Sequence, residues 1–334
     1  MSLSRSQMEA LLRRLRGPVR RAFERAIRNA KGRASVQAMV VAIESGDVDA
    51  LLRAIGLRDG MYSTLTEQIR AVYGESGSLI LASDLPRNFD MDFDINNPRA
   101  ESWLRMNSSS LITGNLMPEQ RAAIQEILQS GMSKGQNPTS TALDIVGRIS
   151  KQTGRRQGGV IGLNQQQAKF AVNMAADLEN LDCRYFSRKL RDRRFDNAVR
   201  KAIESGKPLS RKVQNKIVAR YEGRLLKHRG DTIARTETLQ SLNAANDEAL
   251  QQVVQEGLAP RNAVVRVWRH SFSANERPGH LMMEGQRRGL DELFVNPITF
   301  ASLLYPGSGP ASEVINCRCF VEHEIDFFAV EVAA

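Results

Sequence analysis

The apolar residues of this chain change their period once, and the change comes late. Through about the first 230 positions they recur at three- and four-residue steps, as in Leu11, Leu12, Leu15, Val19, Phe23 and Ile27. That spacing marks helices that bury one face. A period of two appears only near the end, in 263–268 and again in 314–323. The expected fold is therefore α+β: a mainly α-helical N-terminal two thirds followed by a small C-terminal α+β domain. Hydrophobic residues make up 42% of the chain, too many for a disordered one. Aromatics are only 6%, so the cores must be mainly Leu, Ile, Val, Ala and Met.

Four segments follow from the pattern. Residues 1–80 read as an N-terminal helical region, with breaks at Gly17-Pro18 and Gly46-Asp47 and a third helix over 62–73. Residues 81–117 read as an irregular connection, because Asn88, Asp90, Asp92, Asp94, Asn96, Asn97 and Pro98 crowd together. Residues 118–229 read as a basic helical region that ends in two helices, roughly 186–205 and 209–229. Residues 230–334 read as the α+β domain. It has a helix starting at Gly230-Asp231-Thr232 and stopping at Gly257, then a strand over 263–268 with Val265 and Val267 on one face. A short helix over 297–304 and a strand over 314–323 follow.

The net charge is +10, which favours acidic partners. From Arg184 to Arg229 there are sixteen Lys and Arg against four acids. Arg188, Lys189, Arg191, Arg193, Arg194, Arg200, Lys201, Arg211 and Lys212 are the candidates for binding nucleic acid or an acidic protein surface. No run of eighteen apolar residues appears, so no membrane span is expected. The Arg-rich first 28 residues read as an amphipathic helix rather than a secretory signal. Three cysteines without framework spacing point to a reducing compartment. GxSxG, HExxH and GxxxxGK[ST] are absent, and Gly158-Gly159 resembles a phosphate loop without its Lys-Ser/Thr ending. An ATPase is disfavoured and no catalytic residue is assigned.

The scarce residue types gather in 235–319: Trp268, two of the four histidines and two of the three cysteines. Arg235 shares a helix face with Leu239 and Leu242, and Asp231 is its expected ion-pair partner. Cys317 and Cys319 are expected on one face of a strand, where a bridge between them is disfavoured. His280 is either a hydrogen-bonded neighbour of buried thiols or, with Cys317 and Cys319, a ligand of a structural zinc, with His270 or His323 as a fourth. No other cofactor is expected. An acid/base reading would put Glu276 or Glu284 beside His280.

The combination RTETLQSLNAAN, a following Trp, a turn ending in R-x-x-H, then E-G, a Pro-Gly loop and NCRC resembles the phage Mu F-like head morphogenesis family, the minor head or minor capsid proteins. The resemblance covers about 230–322. Arg235, Glu237, Trp268, Arg277, His280, Gly285, Pro306, Asn316, Cys317, Arg318 and Cys319 carry it. Glu276 stands where the family turn often has Asp. The resemblance implies a non-enzymatic virion component of tailed-phage heads, made in the bacterial host cytoplasm and bound at the portal vertex or capsid interior. Its implied partners are portal protein, major capsid protein and packaged double-stranded DNA, and a homo-oligomer stays open. Two other readings stand beside it: a DNA-binding internal or ejected virion protein, and a metal-dependent enzyme centred on His280.

Overall fold

The computed structural model describes residues 4–86, 89, 91–272, 277–327 and 329; Asn88, Asp90 and the 275–276 turn lie outside them. Helix α1 (Arg5–Arg33) runs straight through Gly17-Pro18, where the sequence predicts a break. An interior proline costs about 3 kcal/mol. Against it stand Leu11, Leu15, Val19, Phe23 and Ile27, all buried. Each such side chain contributes about 1.5–3 kcal/mol, so the apolar stripe outweighs the proline.

Helices α2 (Val36–Glu44) and α3 (Val48–Ile55) part at Gly46-Asp47 as expected, and Asp47 caps α3 by accepting the Ala50 N–H at 2.8 Å. Helix α4 (Ser63–Asp84) continues past its predicted end at residue 73. The predicted irregular connection 81–117 is largely helical: α5 (Pro98–Ser109) passes into a π-helical stretch, Ser110–Leu116. Its many Ser, Asn and Gly residues hide the helical period. Helices α6 (Met117–Ser133) and α7 (Pro138–Val146) carry Pro118 and Pro138 in their first turns, as expected. A hairpin of β1 (Arg148–Ile149) and β2 (Arg156–Gln157) precedes α8 (Gln165–Glu179).

Of the predicted helix 186–205 only the second half forms, as α9 (Asp196–Ser205). Asp182 and Asp192 instead start two short 3-10 turns by accepting the N–H groups of Arg184 and Arg194. The predicted helices on either side of Gly230 are one helix, α10 (Arg211–Gln255), 45 residues long. An interior Gly costs about 1 kcal/mol, less than the burial of Leu225, Leu239 and Leu242 around it contributes. Strand β3 (Val264–Arg269), α11 (Pro278–Met282), β4 (Arg287–Gly289), β5 (Phe294–Val295), β6 (Ser302–Leu303), the single turn α12 (Ala311–Val314) and β7 (Phe320–Ile325) follow. The predicted helix 297–304 is absent. Asn296 accepts the N–H groups of Ile298 and Thr299, which makes a turn that joins β5 to β6. The predicted strand 314–323 begins only at Phe320.

The chain forms two compact units. One comprises 1–21, 65–107 and 231–334, and the other comprises 22–64 and 108–230. In the first, the antiparallel sheet β4-β3-β7 packs its central strand with Trp268, Phe294, Leu303 and Val321. Val264, Arg266 and Trp268 are buried on one face of β3; on the other, Val267 is buried and Val265 half-buried. Residues 236–253 of α10 are buried almost all round, although many are polar. Three of them bind loop backbone: Gln240 donates to the Gly307 carbonyl at 2.9 Å, Asn243 to that of Pro306 at 2.8 Å, and Gln252 to that of Asp94 at 2.9 Å. Arg266, 1% exposed, donates from Nη1 to Asp247 at 2.9 Å and to the Leu304 carbonyl at 2.7 Å. Its Nε and Nη2 donate to the carbonyls of Gly289 and Glu292, so all five guanidinium N–H groups are used.

In the second unit Gly159 is buried and Gly158 half-buried, and the backbone of this turn is held by side chains. The Lys31 ammonium donates to both glycine carbonyls, at 2.7 and 3.1 Å, and the Glu222 carboxylate accepts the Gly159 N–H at 2.7 Å. Gln120 donates to the Leu163 carbonyl and accepts the Gly162 N–H. The backbone that looked like a phosphate loop is thus occupied by the protein's own carboxylate. Gly159 has φ +77°, and a Cβ there would lie 2.3 Å from the Gly147 nitrogen and 2.6 Å from the Ile145 carbonyl oxygen. Gly154 has φ +64° with open space around it. Gly154→Ala should lower stability by about 1–2 kcal/mol, the left-handed backbone cost alone. Gly159→Ala should cost far more or prevent cooperative thermal unfolding. Equal losses in the two variants would contradict this packing.

Candidate functional site

Three elements bring the scarce residues together. The short helix α11 carries His280, the irregular approach to β7 carries Cys317 and Cys319, and α12 carries Glu313. His280 Nδ1 lies 3.5 Å from Cys317 Sγ and 3.6 Å from Cys319 Sγ. His280 Nε2 lies 2.7 Å from Glu313 Oε2. Glu313 also accepts from Asn296 Nδ2 at 3.0 Å and Thr299 Oγ1 at 2.8 Å. Burial pushes the Glu313 carboxyl up, but these three donors outweigh it and hold the group below its ordinary value. Trp268 meets the His280 ring edge-on, with centroids 5.3 Å apart. His280, Cys317 and Cys319 are 2%, 3% and 2% exposed.

The expected grouping of His280 with Cys317 and Cys319 is therefore present, but the two cysteines precede the strand rather than lying on it. Neither His270 nor His323 joins them. His270 Nδ1 accepts the Phe272 N–H at 3.0 Å, and His323 Nδ1 bonds Asp84 Oδ2 at 3.1 Å. The carboxylate beside His280 is Glu313, which the sequence reading missed, and not Glu284. Glu284 accepts the His270 N–H and pairs with Arg5 and Arg269. Glu276 lies outside the described residues. The one signal for Glu313 is a lone acid four residues before Cys317, in a stretch of small and apolar residues.

The other motif residues surround this cluster. Arg235 does not pair with Asp231; it donates to Asn316 Oδ1 at 3.0 Å, while Asp231 takes Arg20 at 3.1 Å. Asn316 turns the chain with φ 60°, and its N–H donates to Thr236 Oγ1 at 3.3 Å. Arg277 donates to the Ile315 carbonyl at 2.6 Å. Gly285, at φ 76°, donates its N–H to the Trp268 carbonyl at 2.9 Å. Arg318 is exposed. A cavity of about 190 Å³ reaches Cys317 and is lined by Arg13, Arg16, Arg235 and Arg318 with Glu9.

The basic segment divides into two kinds of residue. Arg188 pairs with buried Asp177 at 2.5 Å, and Arg191 pairs with Asp196 at 3.0 Å; both arginines are mostly covered. Arg194 is exposed but bound to Asp192 at 2.6 Å, and Arg211 is bound to Glu179. Arg200 donates to Asn197 and lies over the Phe186 ring. Lys189, Arg193, Lys201, Lys212, Lys216 and Arg220 are exposed or half-buried on the surface. Lys212, Lys216 and Arg220 recur every four residues along α10, which puts them on one face.

Glu237 is buried, and its carboxylate accepts from Asn107 Nδ2 at 3.2 Å. Burial raises its pKa from 4.5 to about 7, with the Asn107 bond opposing. The folded state therefore holds a proton there that the unfolded state has released. The stability this lends is full below pH 4.5 and is lost as pH rises to about 7. At about 1.4 kcal/mol per unit, the loss is on the order of 3 kcal/mol. Chemical denaturation of wild type and Glu237→Gln across this range should show the difference shifting in favour of the variant as pH rises. A difference independent of pH would contradict the assignment.

A family model described as phage Mu protein F like protein matches residues 193–322. No curated protein and no solved structure matches the chain. The matched region contains the buried cluster and every residue that carries the resemblance. It starts well before residue 230, at the Arg193–Phe195 turn, so the whole of α10 falls inside it. The similarity to phage Mu protein F like protein is thus confined to residues 193–322 of this chain.

Proposed function

We propose that this protein is a phage head-morphogenesis component, a minor head protein carried in the virion. In this reading it docks at the portal vertex or capsid interior, against portal or major capsid protein, and touches packaged double-stranded DNA. The similarity of residues 193–322 to phage Mu protein F like protein supports the head-morphogenesis part. The observation that supports an acidic partner is the basic face of α10, with Lys189, Arg193 and Lys201 in the same unit. Lysines and arginines displayed this way neutralise phosphates without reading bases. Among the described residues no helix is long and apolar enough to cross a membrane.

An internal or ejected DNA-binding protein would use the same basic face, so two measurements are needed. Duplex DNA affinity of the full chain should fall with salt. Replacing Lys189, Arg193, Lys201 and Lys212 by Ala should flatten the slope by about 0.9 for each phosphate left without its cation. Arg188 and Arg191 are unsuitable for this test because their removal strands Asp177 and Asp196. An unchanged slope would exclude these four side chains as the DNA-binding groups. Pull-down with portal and major capsid protein, together with mass spectrometry of proheads and virions, tests the placement. Absence from both kinds of particle would refute the head-protein reading.

A further inference from the structure

We propose that His280, Cys317 and Cys319 form a metal site for one thiophilic divalent ion, zinc in kind, whose fourth position opens to the adjoining arginine-lined cavity. The two cysteines bind as thiolates, and their two protons pass to solvent when the ion enters.

The geometry fits the ion. Zinc–nitrogen bonds of about 2.05 Å and zinc–sulfur bonds of about 2.3 Å, set tetrahedrally, put nitrogen and sulfur about 3.5–3.6 Å apart. The two separations here are 3.5 and 3.6 Å. All three donor atoms lie within 4.8 Å of one another. One imidazole nitrogen has one lone pair in the ring plane, so it accepts one S–H well but not two equidistant ones. An ion between the three atoms engages both sulfurs at once.

The surroundings prepare the ligands. Glu313 already accepts from Asn296 and Thr299, so His280 Nε2 donates its proton to that carboxylate and Nδ1 presents its lone pair to the sulfurs. A carboxylate on the far nitrogen is the usual support of a ligating histidine. The Cys319 N–H points at Cys317 Sγ, 3.4 Å away, where it stabilises thiolate charge. Among the described residues no other His, Cys, Asp or Glu joins the group. The cavity that reaches Cys317 supplies the fourth ligand, a water or a small anion drawn by Arg13, Arg16, Arg235 and Arg318.

The test uses the full chain, purified under reducing conditions without chelator. Elemental analysis should give one zinc per chain. After chelation, cobalt(II) added to the chain should produce a thiolate-to-cobalt charge-transfer band, which weakens in Cys317→Ser and in Cys319→Ser. Because those variants can fail to fold, Glu313→Gln is the second probe: it keeps all three ligands and should weaken zinc affinity about 10–100-fold. Added thiocyanate should shift the visible cobalt bands. A folded chain with no zinc and no charge-transfer band would overturn the site, as would a Cys317–Cys319 disulfide in the freshly purified protein. Cobalt bands indifferent to thiocyanate would overturn the open fourth position.

Discussion

The guanidinium of Arg266 is the interaction on which the sheet-bearing unit most depends. It lies inside the sheet on the central strand, opposite His323 of β7 and Arg288 of β4. From there it reaches the helix through Asp247, the carbonyl of Gly289 at the end of β4, and the loop carbonyls of Glu292 and Leu304. Removing one partner of such a buried charge pair costs about 3–5 kcal/mol, because the other charge stays behind without compensation. The Phe294 ring beneath it and the hairpin β5–β6 are placed by the same interactions. The loop that leads to Cys317 is then held by Asn243, which donates to both Pro306 and Cys319.

Polar side chains fastening loop backbone are the common device of both units. In one they radiate from α10; in the other Lys31, Gln120 and Glu222 hold the turn around Gly158 and Gly159. A buried loop exposes amides that must find partners, and long polar side chains from helices supply them. This explains why the motif RTETLQSLNAAN is rich in Thr, Glu, Gln and Asn yet lies in the interior. Gln240 and Asn243 bind the loop carbonyls of Gly307, Pro306 and Cys319, while Arg235 and Thr236 bind Asn316, so the motif fastens the chain on both sides of Cys317.

Much of the architecture was legible in the sequence. The helical period, the breaks at Gly46 and before Pro138 and the strand at 263–268 follow from local pattern, and the grouping of His280 with the two cysteines follows from the scarcity of those residue types. Elsewhere tertiary burial overrode local signals. Pro18 and Gly230 look like helix breakers, but the apolar residues on either side are worth more than their cost. Residues 98–116 look irregular because short polar side chains mask the period of a helix. Arg266 looks like a solvent-facing strand residue, since nothing near it in sequence announces Asp247 or the three carbonyls. Arg188 and Arg191 look like a binding surface because Asp177 lies outside the basic segment and Asp196 is diluted within it. Glu313 was hidden for a similar reason: its partner His280 is 33 residues away.

The most direct test of Arg266 as the anchor is a double-mutant cycle with Asp247, using Arg266→Met, Asp247→Ala and the pair, with stability read by denaturant unfolding. Close buried charge pairs show coupling of about 1.5 kcal/mol or more, and the double variant should lose clearly less than the sum of the two singles. Additive losses, with coupling near zero, would contradict the claim that this pair anchors the unit.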